Sequence, residues 1–190
     1  LLEERKYPDK KVLLFETLNS EIPAYTFSIS MYGACYLAGG VVLPFTSDKV
    51  AVLCGNSNDA TVKSAADGFV KGYTDQGGES ADIFCLADDW TGYAMPDSAY
   101  RMVARLAGEY SYFFPLAGGS NLGMFRYARE YPDDLYMAGM DVDQSGYSSR
   151  ITCSVVKNID RLVGHYLNLW LEGESIPCLL YTSDAADDLT

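Results

Sequence analysis

Apolar and polar positions divide this chain into short apolar runs of strand length, separated by stretches with helical spacing. The runs lie at Lys11–Phe15, Lys49–Cys54, Ala81–Leu86, Tyr112–Leu116 and Leu135–Asp141, with a shorter one at Ile151–Val156. They are rich in Val, Ile, Phe and Tyr, which fit a pleated and half-buried surface. Between them, Ala65, Phe69 and Tyr73 recur at helical spacing, with Val62 and Ala66 beside them. Ala99, Met102, Val103 and Leu106 share a second helical face, and Val155, Ile159, Leu162, Val163, Tyr166 and Trp170 a third. Strands alternating with helices predict βαβ units, hence an α/β fold with a mainly parallel sheet flanked by helices.

The segment starting near Met31 crowds Gly33, Ala34, Cys35, Ala38, Gly39 and Gly40 together. An interior Gly costs a helix about 1 kcal/mol, so a helix that keeps several is expected to lie close against a neighbour. Two places read as crossings between lobes: Thr46-Ser47-Asp48 and Ser154–Lys157. The predicted organisation is a partial N-terminal lobe over 1–48, a Rossmann-like C-terminal lobe over 49–154, and a helix over 155–177 returning to the first lobe. The chain begins at Leu1 without a charged-then-apolar leader, so its natural start is expected upstream. Residues 178–190 abandon the helix–strand rhythm, resemble translated adapter sequence, and are set apart as a non-native tail.

Composition narrows the function. Net charge is −12 with a pI near 4.3, which argues against nucleic acid, because phosphate neutralisation needs clustered Lys and Arg. No apolar stretch reaches the roughly 18 residues of a membrane span. The five cysteines show no CxxC spacing, so zinc-ribbon and thioredoxin-like readings fail, and four of them sit in apolar segments as small hydrophobes. The sole histidine, His165, is the one possible base for nucleophile–base catalysis, and it lies in the middle of a helical stretch with no Ser elbow nearby.

Two motifs invite three cofactor readings and fail them. Gly118-Gly119-Ser120-Asn121-Leu122-Gly123 lacks the Lys and Ser or Thr of a phosphate loop, since Met124 and Phe125 follow it, and misplaces the second Gly of a dinucleotide fingerprint. Asp141-Val142-Asp143-Gln144 opens like a calcium loop, but Thr152 stands where the closing Glu is needed. No cofactor, metal or enzymatic activity is therefore expected.

In an open α/β sheet, ligands sit at the carboxyl ends of the strands. The candidates there are Gly118, Gly119 and Asn121 in the turn after Tyr112–Leu116, Asp141 at the end of its run, and Lys157 after the last one. Asp141 is expected to accept hydrogen bonds from ligand hydroxyls. Lys157 either pairs with it or reaches the ligand. Trp90, in Asp88-Asp89-Trp90-Thr91-Gly92-Tyr93, either stacks a planar ligand or packs. Asn56, in Asn56-Ser57-Asn58-Asp59, either contacts ligand or belongs to the cap of the next helix.

Tyr36-Leu37-Ala38-Gly39, Lys49-Val50-Ala51-Val52, Asp67-Gly68-Phe69, Ala117-Gly118-Gly119, Gly139-Met140-Asp141-Val142-Asp143-Gln144 and Ser154-Val155-Val156-Lys157 together resemble the basic membrane protein family of ABC-transporter substrate-binding lipoproteins. This is the purine-nucleoside receptor group, with a type I periplasmic-binding fold. The resemblance covers about residues 7–175, and its last two motifs are the specific ones. It implies two α/β lobes closing on a nucleoside-like ligand, and a receptor outside the cytoplasm held to the plasma membrane by a lipid anchor absent from this chain. The implied partner is an ABC permease, to which the ligand is delivered. Family members hold ribose hydroxyls with carboxylates and sandwich the base between aromatics, roles that would fall to Asp141 and Trp90. Two positions depart from the pattern: Gly33 stands where the family usually carries an acid, and a Trp-containing loop replaces a Pro-containing one. The alternatives are the ligand-sensing domain of a transcription regulator with the same fold, or a nucleoside- or sugar-processing α/β enzyme.

Overall fold

Every residue from Val50 to Asn56 is buried. A strand covered on both faces reads as a continuous apolar run, the mark of a parallel sheet between helix layers. A computed structural model describes residues 12–15, 25–46, 48–174 and 179–181. In chain order its elements are β1 (Leu13–Phe15), β2 (Tyr25–Ser30), α1 (Tyr32–Gly40), β3 (Val50–Asn56), α2 (Ala60–Asp75), β4 (Ala81–Ala87), α3 (Pro96–Leu106), β5 (Tyr112–Leu116), α4 (Asn121–Glu130), β6 (Tyr136–Asp141), β7 (Ile151–Val156), α5 (Ile159–Glu172) and β8 (Leu179–Tyr181). Short 3-10 turns follow β4, β5 and β6, at Trp90–Ala94, Gly118–Ser120 and Ser145–Tyr147.

The chain divides into two units, one of Met31–Asn158 and one of Leu1–Ser30 with Ile159–Thr190. In the second, β1, β2 and β8 pair in parallel in that order. Tyr166 of α5 is buried there, with Leu13, Leu169 and Trp170 packed against it. β2 is absent from the predicted strands, and β8 arises within the segment set apart as a tail. Residues 178 and 182–190 of that segment lie outside the described residues, as does Lys11.

The larger unit takes in α1, which the sequence reading grouped with the first lobe. The cause is contact at backbone level between α1 and α2. A Cβ built on Gly39 would overlap the Phe69 carbonyl, and one on Gly72 the Tyr36 carbonyl. The small residues let two helix backbones touch, and the interior-glycine cost is offset by the packing this permits. The crossing into this unit therefore falls at Ser30/Met31 instead of near Asp48.

The five strands of this unit run in the order β4-β3-β5-β6-β7, all parallel. Right-handed crossovers place the helix after β3 on one face, and the helices after β4 and β5 on the other. Packing agrees, since α1 lies on α2, and α3 on α4. On the α2 face Phe69 stacks on Phe114 with ring centroids 4.2 Å apart. On the opposite face Ala51, Leu53, Phe113 and Met137 are buried with Val103, Met124 and Phe125. Two consequences position the site. All carboxyl ends lie along one edge, and the direction of strand succession reverses between β3 and β5, the place where open α/β sheets form a crevice.

Replacing Gly72 by Ala is expected to destabilise the fold by about 1–3 kcal/mol, because backbone must move to admit the methyl group. Gly40→Ala, whose new Cβ would find its nearest neighbour at 3.8 Å, is expected to be neutral or slightly stabilising. Urea midpoints of the two variants check the contrast, and equal midpoints would refute the close-packing account. A second expectation concerns alkali. Burial pushes the Cys35 and Cys54 thiols up from 9.0 to about 12. The native state thus holds protons that the unfolded chain releases above pH 9, so this stabilisation is complete below pH 9 and is lost as pH rises toward 12. Stability should fall by roughly 1.4 kcal/mol per thiol per pH unit within that window. A urea midpoint that stays flat from pH 8 to pH 11 would contradict it.

Candidate ligand-binding edge

β6 ends on Asp141, the one non-glycine residue with positive φ among those described, at 73°. Asp tolerates this left-handed backbone better than most residues, yet such positions hold about 1–3 kcal/mol of strain and persist only where their surroundings impose them. Here the surroundings come from β7. The Lys157 amide donates to the Asp141 carbonyl at 2.9 Å, and the Lys157 ammonium lies 3.4 Å from Asp141 Oδ1. The lysine side chain is 12% exposed and the aspartate 51%. The cation is therefore mostly covered, while the carboxylate keeps half its surface for a hydroxyl or water.

The turn that follows is fastened by its own side chains. Gln144 Oε1 accepts from the Met140 amide at 2.8 Å, and the Gln144 amide donates to Ser154 Oγ at 3.1 Å. A Cβ on Gly139 would overlap Ser154 Oγ and lie 2.9 Å from Gln144 Cβ, so only glycine leaves room for this hook. Gly139-Met140-Asp141…Gln144 and Ser154…Lys157 are thus two halves of one clamp. Asp143 caps the turn by accepting the Ser145 amide at 2.9 Å, and that bond holds its carboxyl below the ordinary range.

The glycine turn sits on the adjacent strand, β5. Gly118 has φ 53°, and Gly118 and Gly119 are both exposed. Asn121 is buried and spends its amide on the turn itself, accepting from the Ala117 amide at 3.0 Å and donating to the Pro115 carbonyl at 3.4 Å. Its side chain shapes the loop from beneath.

Tyr93, which sequence reasoning did not single out, lies at the switch point. A Cβ on Gly55 would come within 2.6 Å of its ring, and one on Gly118 within 3.2 Å. Its hydroxyl donates to Asp59 Oδ2 at 2.6 Å, and burial followed by this bond raises the phenol above its ordinary range. Ser120 laces the same loop down, donating to the Gly92 carbonyl and accepting the Met95 amide, both at 2.7 Å. A signal for this existed in the sequence, since glycines at 55, 92 and 118 all stand at carboxyl ends or in the loops just past them.

Trp90 stands beside Tyr93 with ring centroids 5.7 Å apart and is 72% exposed. Asp89 starts its turn by accepting the Thr91 amide at 2.9 Å, and its bonds to Thr91 hold that carboxyl below the ordinary range. Asn56 is buried and accepts the Asn58 amide at 2.9 Å. The helix cap is made by Asp59, the last residue of that run, which accepts from the Thr61 and Val62 amides at 2.9 and 3.3 Å. The structure therefore joins Asp141 directly to Lys157, and brings Gly118 and Trp90 together through Tyr93. Asn56 is on the neighbouring strand. From β3 to β7 this edge spans three strand spacings, roughly 14 Å.

Among the described residues no group of three or more His, Cys, Asp or Glu could hold a metal ion. No described helix is long and apolar enough to cross a membrane. His165 lies in the middle of α5 next to the Tyr166 ring, at 5.8 Å.

Neither a protein-family model nor a curated protein matches the chain. Solved structures do. An ABC transporter solute-binding protein from Aeropyrum pernix K1 aligns with a TM-score of 0.70 and 18% identity, over 94% of this chain and 52% of its own. A transcriptional activator of the comK gene from Bacillus halodurans aligns at 0.73 and 22%, over 94% and 61%. A LacI family transcriptional regulator from Enterococcus faecium, solved with bound ribose, aligns at 0.66 and 17%, over 94% and 68%. The chain spans about half to two-thirds of these proteins. At such identities the likeness is one of fold, and the fold is the type I periplasmic-binding-like α/β fold anticipated above. The resemblance to the basic membrane protein family rests on the motifs alone.

Proposed function

We propose that this chain is part of an extracytoplasmic solute receptor of an ABC transporter, which holds a nucleoside-like molecule and passes it on unaltered. The observation that carries the reading is the half-open Asp141 carboxylate, set on a strained backbone and backed by a largely covered lysine. Strain retained at one exposed carboxylate points to a use for its position. In this reading Asp141 accepts two ligand hydroxyls, Lys157 fixes the carboxylate, and the bare backbone of Gly118 and Gly119 admits ligand oxygen atoms. Trp90 offers a face to the base, and Tyr93 and Asn121 keep the loops in shape. Asn56 lies at the margin of the same edge. The groups gathered are acceptors, an ammonium and ring faces, suited to holding a molecule. The partners would be the ligand and a permease, with a lipid anchor outside the present chain; a net charge of −12 is ill-suited to nucleic acid.

A second reading has its own support, because the matched structures include transcription regulators alongside solute-binding proteins. The same edge would then sense an effector in the cytoplasm. The upstream part of the gene discriminates between them: a signal segment ending in a lipid-attachment Cys favours the receptor, and a helix-turn-helix the regulator.

Calorimetry of the full-length protein against inosine, adenosine and ribose tests the site. Asp141→Ala is expected to weaken binding by about 2–3 kcal/mol, roughly 30–150-fold, through the loss of charge-assisted hydrogen bonds. Asp141→Asn, which keeps an acceptor and tolerates the same backbone, should weaken it less. Unchanged affinity in Asp141→Ala would remove this residue from the site.

A further inference from the structure

We propose that Cys54 and Cys85 are a disulfide-forming pair, a redox-modification site that bridges the central strand β3 to the edge strand β4 next to the Tyr93 loop. Cys54 and Cys85 are direct register partners on neighbouring parallel strands. Such partners lie about 4.8 Å apart and project to the same face, which falls within the roughly 4.4–6.8 Å between Cα atoms that a disulfide needs. Both are free thiols. Cys54 is 2% exposed, whereas Cys85 is half-buried on the strand at the end of the sheet. An oxidant therefore meets Cys85 first. Neither Cys35, in α1, nor Cys153, in β7, is a strand neighbour of the pair. Gly55, next in sequence to Cys54, carries the Tyr93 ring, so a bridge here would stiffen the bed of the switch-point loop.

With oxidised glutathione as the oxidant the step balances. The Cys85 thiolate attacks one sulfur of the glutathione disulfide, forming a mixed disulfide and releasing one glutathione thiolate. Cys54 then loses its proton to water and attacks Cys85 Sγ, expelling the second glutathione. Two protein thiols are oxidised to one disulfide, and one glutathione disulfide is reduced to two thiols. Burial, with the Cys85 sulfur as the next contributor, holds the Cys54 thiol up at about 12. The closing step is therefore slow at neutral pH and should quicken about tenfold per pH unit as the thiolate fraction rises. The pair would close in an oxidising exterior and stay reduced in a cytosol, and the inference does not depend on which ligand binds.

The test is oxidation of the native full-length protein with glutathione disulfide, alkylation of remaining thiols, trypsin digestion and mass spectrometry. The expected product joins the tryptic peptides 50–63 and 72–101, forms about ten times faster at pH 9 than at pH 8, and disappears on reduction. Cys54→Ser should instead leave Cys85 as a lasting glutathione adduct, and Cys85→Ser should leave Cys54 unmodified. As a check independent of the variants, oxidised wild-type protein should melt at a higher temperature than reduced protein. Three results would overturn the proposal: a stable glutathione adduct on Cys85 in the wild type, a bridge from either residue to another cysteine, or a bridge formed only in urea.

Discussion

The parallel hydrogen-bonded pairing of β3 with both β4 and β5 is the constraint from which the rest follows. It runs from Val50 to Asn56 on one side and from Val50 to Cys54 on the other, so the strand has no free edge and no wet face. Parallel pairing forces each connection to cross back over the sheet, and those crossovers supply the helices that bury β3. Because the chain adds strands first on one side of β3 and then on the other, helices fall on both faces and the carboxyl edge opens between β3 and β5. Position along that edge, more than any single motif, is what unites Asn56, Trp90, Gly118, Asp141 and Lys157.

Local devices then adjust the edge. Each uses glycine where a side chain would collide. Gly39, Gly68 and Gly72 bring α1 onto α2, Gly139 admits the Gln144 hook, and Gly55 with Gly118 receives the Tyr93 ring. The polar groups show the same economy. Gln144, Ser120, Asn121 and Asp59 spend their hydrogen bonds on the loops themselves, while the Asp141 side chain stays half exposed. Buried polar groups that satisfy one another rigidify a loop, and a rigid loop holds a ligand at lower entropic cost.

Much of this was legible before the structure. The strands β3 to β7 coincide with the predicted apolar runs, most plainly β3 and β5, where burial of every residue leaves few polar positions. The close approach of α1 was legible from its small residues, but its partner was not, since a helix surface does not name its neighbour. β2 escaped notice because Tyr25, Phe27 and Ile29 alternate with Thr26, Ser28 and Ser30, a period-two signal fainter than a continuous run. Val155 shares the helical spacing of the α5 face yet lies in β7, since a strand end four residues before a helix mimics that spacing. At the site, pairing of Asp141 with Lys157 was among the anticipated arrangements. Tyr93 was missed because its contacts with Gly55 and Gly118 are distant in sequence, and Asn121 could not be known to face inward without its turn.

Hydrogen–deuterium exchange of the full-length protein, with and without saturating inosine, addresses the carboxyl edge most directly. The account predicts ligand-dependent protection at 88–93, 117–121 and 139–144, where loops follow β4, β5 and β6. Protection confined to the opposite edge, at 48–50, 108–112 and 132–136, would contradict it.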